Sequence, residues 1–163
     1  FGSSQRSESS RSPQHQYIFS VAPGFSSPAH MTKVNINIVR AKNIPKMDFL
    51  GKSDPYVKVI MGGKEVARTP VIPSNLNPEW NFKKTIEWDD TNDLIFSVWD
   101  SDAITADDEC GEFTLRAGSV KSFTGTVPLT LGKKVKKSGD ATLTLNTLAA
   151  GSSEGCCAAC SVM

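Results

Sequence analysis

The sequence predicts an all-β fold, an antiparallel sandwich of eight strands. Three observations carry that expectation. Short apolar, β-branched runs recur at spacings near ten residues from residue 33 to residue 148. Gly, Pro, Asn and Asp punctuate them. No segment holds the apolar period of a long helix, and the spacings leave no room for the helical crossovers of a parallel sheet.

Residues 1–30 are rich in Ser, Gln, Pro and Gly and read as a disordered tail or an expression-tag leader. The chain begins with Phe1, its first methionine is Met31, and His30-Met31 is what a common cloning site leaves in a translated tag. Tyr17–Val21 is a weak strand-like run within that segment. The folded unit is expected over residues 31–148. Val34-Asn35-Ile36-Asn37-Ile38 alternates strictly, so one face of the first strand is buried and the other wet. Tyr56–Met61 is the second strand, and Gly62-Gly63 turns it into a third over Lys64–Thr69. Trp80–Trp88, Leu94–Trp99, Glu112–Leu115, Thr126–Leu131 and Ala141–Leu148 follow. Pro55, Pro70, Pro73, Pro78 and Pro128 lie at run ends or in loops, where strands tolerate them. Residues 149–163 are Ala, Gly, Ser and Cys, a short flexible tether.

Composition excludes several function classes. Formal net charge is +1, and no stretch combines dense basic residues with interleaved aromatics, so nucleic acid is not expected as a partner. No apolar run approaches the roughly 18 residues that span a bilayer, and no secretory signal opens the chain. One cysteine in the body, Cys110, cannot build a disulfide framework, which fits a reducing, cytosolic setting. The two histidines, His15 and His30, both lie in the amino-terminal tail. No Cys–His or Ser–His–Asp set can form in the folded part, and no phosphate-cradling glycine loop is present. A binding module is expected rather than an enzyme.

Two loops concentrate acid. Asp48 and Asp54 are six apart, and Asp100, Asp102 and Asp108 follow the fifth strand. Two unit charges about 4 Å apart interact by roughly 4 kcal/mol at an effective dielectric of 20, so five converging carboxylates call for a cation. Oxygen-only donors favour Ca²⁺ over Zn²⁺. An EF-hand is excluded, because Ile104 and Thr105 stand where its acid and glycine belong and the neighbours are strands. Asp89, Asp90 and Asp93 read as ordinary, solvated turn formers.

The motifs LGKSDPYVKV, LNPEWN, FSVWDSD and DDECGEF, in this order and spacing, resemble those of C2 domains over roughly Lys33 to Leu148. The resemblance implies a Greek-key sandwich in which three loops at one end form a cup for two or three Ca²⁺ ions. Carried over by motif position, Asp48 and Asp54 come from the first loop and Asp100, Asp102 and Asp108 from the third, with Asp54, Asp100 and Asp102 bridging. Backbone carbonyls near Met47 and Trp99 complete the shell, and Thr105 falls where a hydroxyl serves an outer ion. Asp107 stands beside Asp108, and an exchange of role between them stays open. The strand Val34–Ile38 leads straight into the first loop, an order similar to the type II permutation of phosphoinositide phospholipases.

The function so implied is calcium-dependent binding of anionic phospholipid membranes by a monomer on the cytosolic face of eukaryotic membranes. Protein partners and a calcium-stabilised scaffold are the alternative. Phe49, Leu50 and Ile104 at the loop tips suggest an insertion surface, unless Phe49 folds back onto the sandwich. Lys58, Lys64 and Arg68 match a basic sheet face that meets phosphoinositides in relatives, against the reading of a solvated face. Lys133, Lys134, Lys136 and Lys137 form a denser run before the last strand. The ending Cys160-Ser161-Val162-Met163 fits a farnesylation box, with Cys156 and Cys157 upstream as palmitoylation candidates.

Overall fold

The computed structural model describes residues 2, 31–47, 52–135 and 139–151. Among them are nine strands and one helical turn: β1 (Thr32–Lys42), β2 (Pro55–Met61), β3 (Lys64–Arg68), β4 (Glu79–Trp88), β5 (Leu94–Asp100), β6 (Asp108–Leu115), α1 (Ala117–Val120), β7 (Ser122–Pro128), β8 (Thr130–Leu131) and β9 (Thr142–Ala149). They form two antiparallel sheets, ordered β4-β1-β9-β7 and β3-β2-β5-β6-β8.

Alternation along the strands builds the core. Val34, Ile36 and Ile38 of β1 and Leu143 and Leu145 of β9 face Val57 and Val59 of β2 and Phe96 and Val98 of β5 within one continuous cluster. Each such side chain contributes about 1.5–3 kcal/mol by leaving water. Gly62 and Gly63 take φ of 55° and 77°, the left-handed pair that a tight β2–β3 hairpin requires. A bulge between Ile38 and Arg40 re-aims the end of β1 against both its neighbours.

Two expectations change. Thr126–Leu131, read as one strand, is two. β7 pairs with β9 as far as Pro128, and β8 pairs with Glu112 and Gly111 in the other sheet. Pro128 has no N–H to continue a ladder, so the chain crosses between sheets at Leu129. The sixth strand also starts earlier, at Asp108 rather than Glu112.

Chain direction fixes what lies at each end. β1 runs into the first loop, and β9 lies beside it with Thr142 opposite Lys42, which is the type II order among the described strands. The β1–β2, β3–β4, β5–β6 and β8–β9 connections therefore gather at one end. The β4–β5 turn, with Asp89, Asp90 and Asp93, lies at the other.

A candidate metal centre at the loop end

Strand register brings acids from separate segments together. Asp100, the last residue of β5, sits opposite Pro55 in β2 and opposite Asp108 in β6. Asp100 is fully buried, and its Oδ1 accepts the backbone N–H of Asp54 at 2.6 Å. Asp54 ties three loops. Its carboxylate accepts the Ser74 N–H from the β3–β4 connection at 2.7 Å, and its carbonyl accepts the Ser101 N–H at 3.0 Å.

The base of the first loop is fixed by neighbours that the motifs supply. Asn77 of the LNPEWN stretch accepts the Asn43 N–H at 2.9 Å, and the Leu76 carbonyl accepts the Ile44 N–H at 3.0 Å. Ser53, also fully buried, staples the loop shut. Its hydroxyl accepts the Met47 N–H at 3.2 Å and donates to the Pro45 carbonyl at 3.1 Å. Asp48, Phe49 and Leu50 lie outside the described residues.

In the third loop Asp102 accepts the Thr105 hydroxyl at 3.0 Å, so that hydroxyl serves a carboxylate. The two neighbouring acids part company. Asp107 accepts the Tyr56 hydroxyl at 2.6 Å and the Asp102 N–H at 3.2 Å. Asp108 instead takes the ammonium of Lys134. The Tyr56 hydroxyl holds the Asp107 carboxyl below its ordinary range, while burial first and Asp107 second push the phenol up. Ile104 stands 97% exposed at the loop tip.

Among the described residues no three Asp, Glu, His or Cys side chains stand as a finished metal cage. Each acid holds a donor of the protein instead, which is how buried or crowded carboxylates satisfy themselves without a cation. The donor chemistry nonetheless suits a hard cation. Among the described residues the set is carboxylate oxygen alone, drawn from the first and third loops and the strand ends that flank them, with neither thiolate nor imidazole in it. Cys110 is no exception: it is buried in the core, and burial, then Asp100, Asp108 and Glu109, push its thiol up to about 12.

The basic candidates separate. Lys58 and Arg68 are register partners on β2 and β3, whereas Lys64 pairs with Met61 at the hairpin end. Lys58 stands over the Trp99 ring at 3.7 Å and near the Tyr56 ring at 5.4 Å. Arg68 covers the Tyr56 ring at 4.9 Å and grips Glu65 with two hydrogen bonds. Sequence reasoning missed Ser53, Tyr56 and the Trp99 ring as parts of the site. The spacing of Tyr56 and Lys58, two apart on one strand face, was the available signal.

Lys133 and Lys134 lie in the turn after β8, at the loop end, and Asp108 raises the Lys134 ammonium above its ordinary value. Lys136, Lys137, Cys156, Cys157 and Cys160, like Tyr17–Val21, fall outside the described residues. Among the described residues no helix is long and apolar enough to cross a membrane.

Comparison with known proteins accords with this fold. The model of the C2 domain family matches residues 32–138. The chain is 39% identical over 111 residues to the C2 and GRAM domain-containing protein At1g03370 of Arabidopsis thaliana, covering 65% of this chain and 11% of that protein. It is 41% identical over 80 residues to Protein C2-DOMAIN ABA-RELATED 5 of the same plant, covering 48% of this chain and 39% of that one. The chain thus spans well under half the length of these curated relatives. A solved C2 domain of plant Extended Synaptotagmin 1 superimposes with a TM-score of 0.62 at 27% identity, over 72% of this chain and 93% of that one.

Proposed function

The chain belongs to the C2 domain family, and we propose that it is a calcium-dependent phospholipid-binding module. The observation that carries this reading is Asp54. It joins the first, second and third loops while the fully buried Asp100 accepts its N–H. Carboxylates from separate segments are thereby fixed at one end of the sandwich.

In this reading Asp48, Asp54, Asp100, Asp102 and Asp108 hold two or three Ca²⁺ ions, with the carbonyls of Met47 and Trp99 and the Thr105 hydroxyl as further donors. Asp107 belongs to the framework, because it is tied to Tyr56. When bound, Ca²⁺ supplies positive charge and open coordination positions for phosphate or carboxylate oxygens of headgroups. The chain's own part is to present them. Ile104 at its tip, with Phe49 and Leu50, enters the interface, and Lys58 and Arg68 offer charge on the adjoining sheet face.

The module occupies residues 31–148, between an amino-terminal tail and a tether that carries the lipidation cysteines. Farnesyl on Cys160 with acyl groups on Cys156 or Cys157 makes a standing anchor on the cytosolic face of a membrane, because one chain alone binds only marginally. Calcium then reorients or retains the domain.

Sedimentation with phosphatidylserine-containing vesicles tests the reading. The full chain produced without lipid groups pellets with them in Ca²⁺ and stays in solution in EGTA. Equal pelleting in both conditions contradicts it. Calcium binding without any vesicle response points to a calcium-stabilised protein scaffold instead.

A further inference from the structure

We propose that Lys134 is a tethered counter-cation of the calcium site, one that holds Asp108 while calcium is absent and leaves it when calcium enters. The inference rests on the calcium reading given above. It adds a residue from a fourth connection, outside the three acidic and second-loop segments, as a competitor for the ion.

The backbone, not only a long side chain, puts Lys134 there. β8 lies so close to β6 that two glycines are needed. A Cβ on Gly111 would come within 2.9 Å of the Thr130 carbonyl oxygen, and one on Gly132 would come closer still to the Glu109 carbonyl oxygen. The Gly132 N–H donates to the Cys110 carbonyl at 3.2 Å, and the Val135 N–H closes the turn on the Gly132 carbonyl at 3.0 Å. That turn carries Lys133 and Lys134. Its seat is therefore the first residues of β6, where Asp108 stands.

The partner is also of a distinct kind. Asp54 and Asp102 accept neutral donors, the Ser74 N–H and the Thr105 hydroxyl. Asp108 accepts a full positive charge from 26 residues away. One ammonium relieves the repulsion among the clustered acids in part, and a divalent ion held by several of them relieves it more fully. The Lys134 side chain is 70% exposed, so its ammonium returns to water at little cost when displaced. It is then freed beside Lys133 at the end of the domain that meets the bilayer. A site whose competent form is only partly populated binds its ligand more weakly in proportion, so the pair sets a threshold for calcium.

Calorimetric titration of Ca²⁺ into the full chain at low salt tests this in wild type, K134Q, K134R and K133Q. K134Q should bind Ca²⁺ roughly twofold to fivefold more tightly than wild type, the range of an exposed ion pair, and high salt should narrow the gap. K134R and K133Q should stay near wild type. Detection in K134Q alone would also support the proposal, as the extreme case. If K134Q gains nothing while wild type binds, the role of Lys134 is overturned and the calcium reading stands. An equal gain in K133Q overturns it as well, because bulk charge then explains the effect. Silence in all four proteins overturns both readings. NMR of the lysine ammonium groups gives a second readout: the Lys134 signal should differ from that of Lys133 in EGTA and approach it on adding Ca²⁺. A Lys134 signal indifferent to Ca²⁺ contradicts the displacement.

Discussion

At the β4–β5 turn, Asp89 accepts the N–H groups of Thr91 and Asn92 at 3.1 and 2.8 Å. Asp90 accepts the Thr32 hydroxyl and pairs with Lys121, and Asp93 accepts the Ala117 N–H and pairs with Arg116. At the other end of β5, about 20 Å away for seven residues, Asp54, Asp100 and Asp108 meet from separate segments. Both ends are rich in aspartate, yet the physics differs. In the turn each acid finds its own donors, Asp89 from its neighbours and Asp90 and Asp93 from β1, α1 and basic side chains, so nothing further is required. At the loop end the strand register draws acids from separate segments together, and their donors are neutral groups and one lysine. The turn aspartates are thus more than solvated acids. They tie β1, α1 and Lys121, which follows α1, to the turn.

If this contrast is right, damage at the turn end should cost folding and spare calcium. Trp88 is 2% exposed, and its Nε1 donates to the Asn92 carbonyl at 2.7 Å. Trp88→Ala should lose about 3–5 kcal/mol in urea denaturation, while the stabilisation added by Ca²⁺ is unchanged. A variant with intact stability but no calcium response would break the comparison. Ser53→Ala works at the opposite end. It should lose about 1 kcal/mol, because two partly buried backbone groups lose their partner, and the same calorimetry should find weaker Ca²⁺ binding. Unchanged affinity would mean that loop closure does not shape the site.

The smallest effect is in acid. Hydrogen bonds from Asn92 lower the Asp89 carboxyl from an ordinary 3.8 to about 2. A carboxyl depressed in the folded state adds stability that is present above its unfolded value and is lost as pH falls through the folded one. Stability should therefore decline between about pH 4 and pH 2, and Asp89→Asn should make that decline shallower in melts across the window. An identical slope in both proteins removes Asp89 from the account.

Much of the fold was legible because alternation and turn chemistry are local. Val34, Ile36 and Ile38 are buried as their pattern requires, and Gly62-Gly63 turns where expected. The split at Leu129 was not legible, since a run ending in proline reads alike whether it stops or changes sheet. The four-residue α1 is too short to show a period; the distant Asp93 caps its first N–H. Motif spacing named Asp54, Asp100, Asp102 and Asp108 as neighbours, but it could not separate Asp107 from Asp108. That distinction lies in a contact between Tyr56 and Asp107, 51 residues apart. Nor could it aim Lys134, whose place depends on how closely β8 packs against β6 at Gly111 and Gly132.

The most direct test is thermal unfolding with and without Ca²⁺ in wild type, in Asp100→Asn with Asp102→Asn, and in Asp89→Asn with Asp93→Asn. At a hundredfold excess over Kd, one site adds about 2.7 kcal/mol, a rise of roughly ten degrees for a domain of this size. The account predicts that rise in wild type and in the turn variant, and its loss in the loop-end variant. No rise in wild type, or a rise that survives Asp100→Asn with Asp102→Asn, would contradict it.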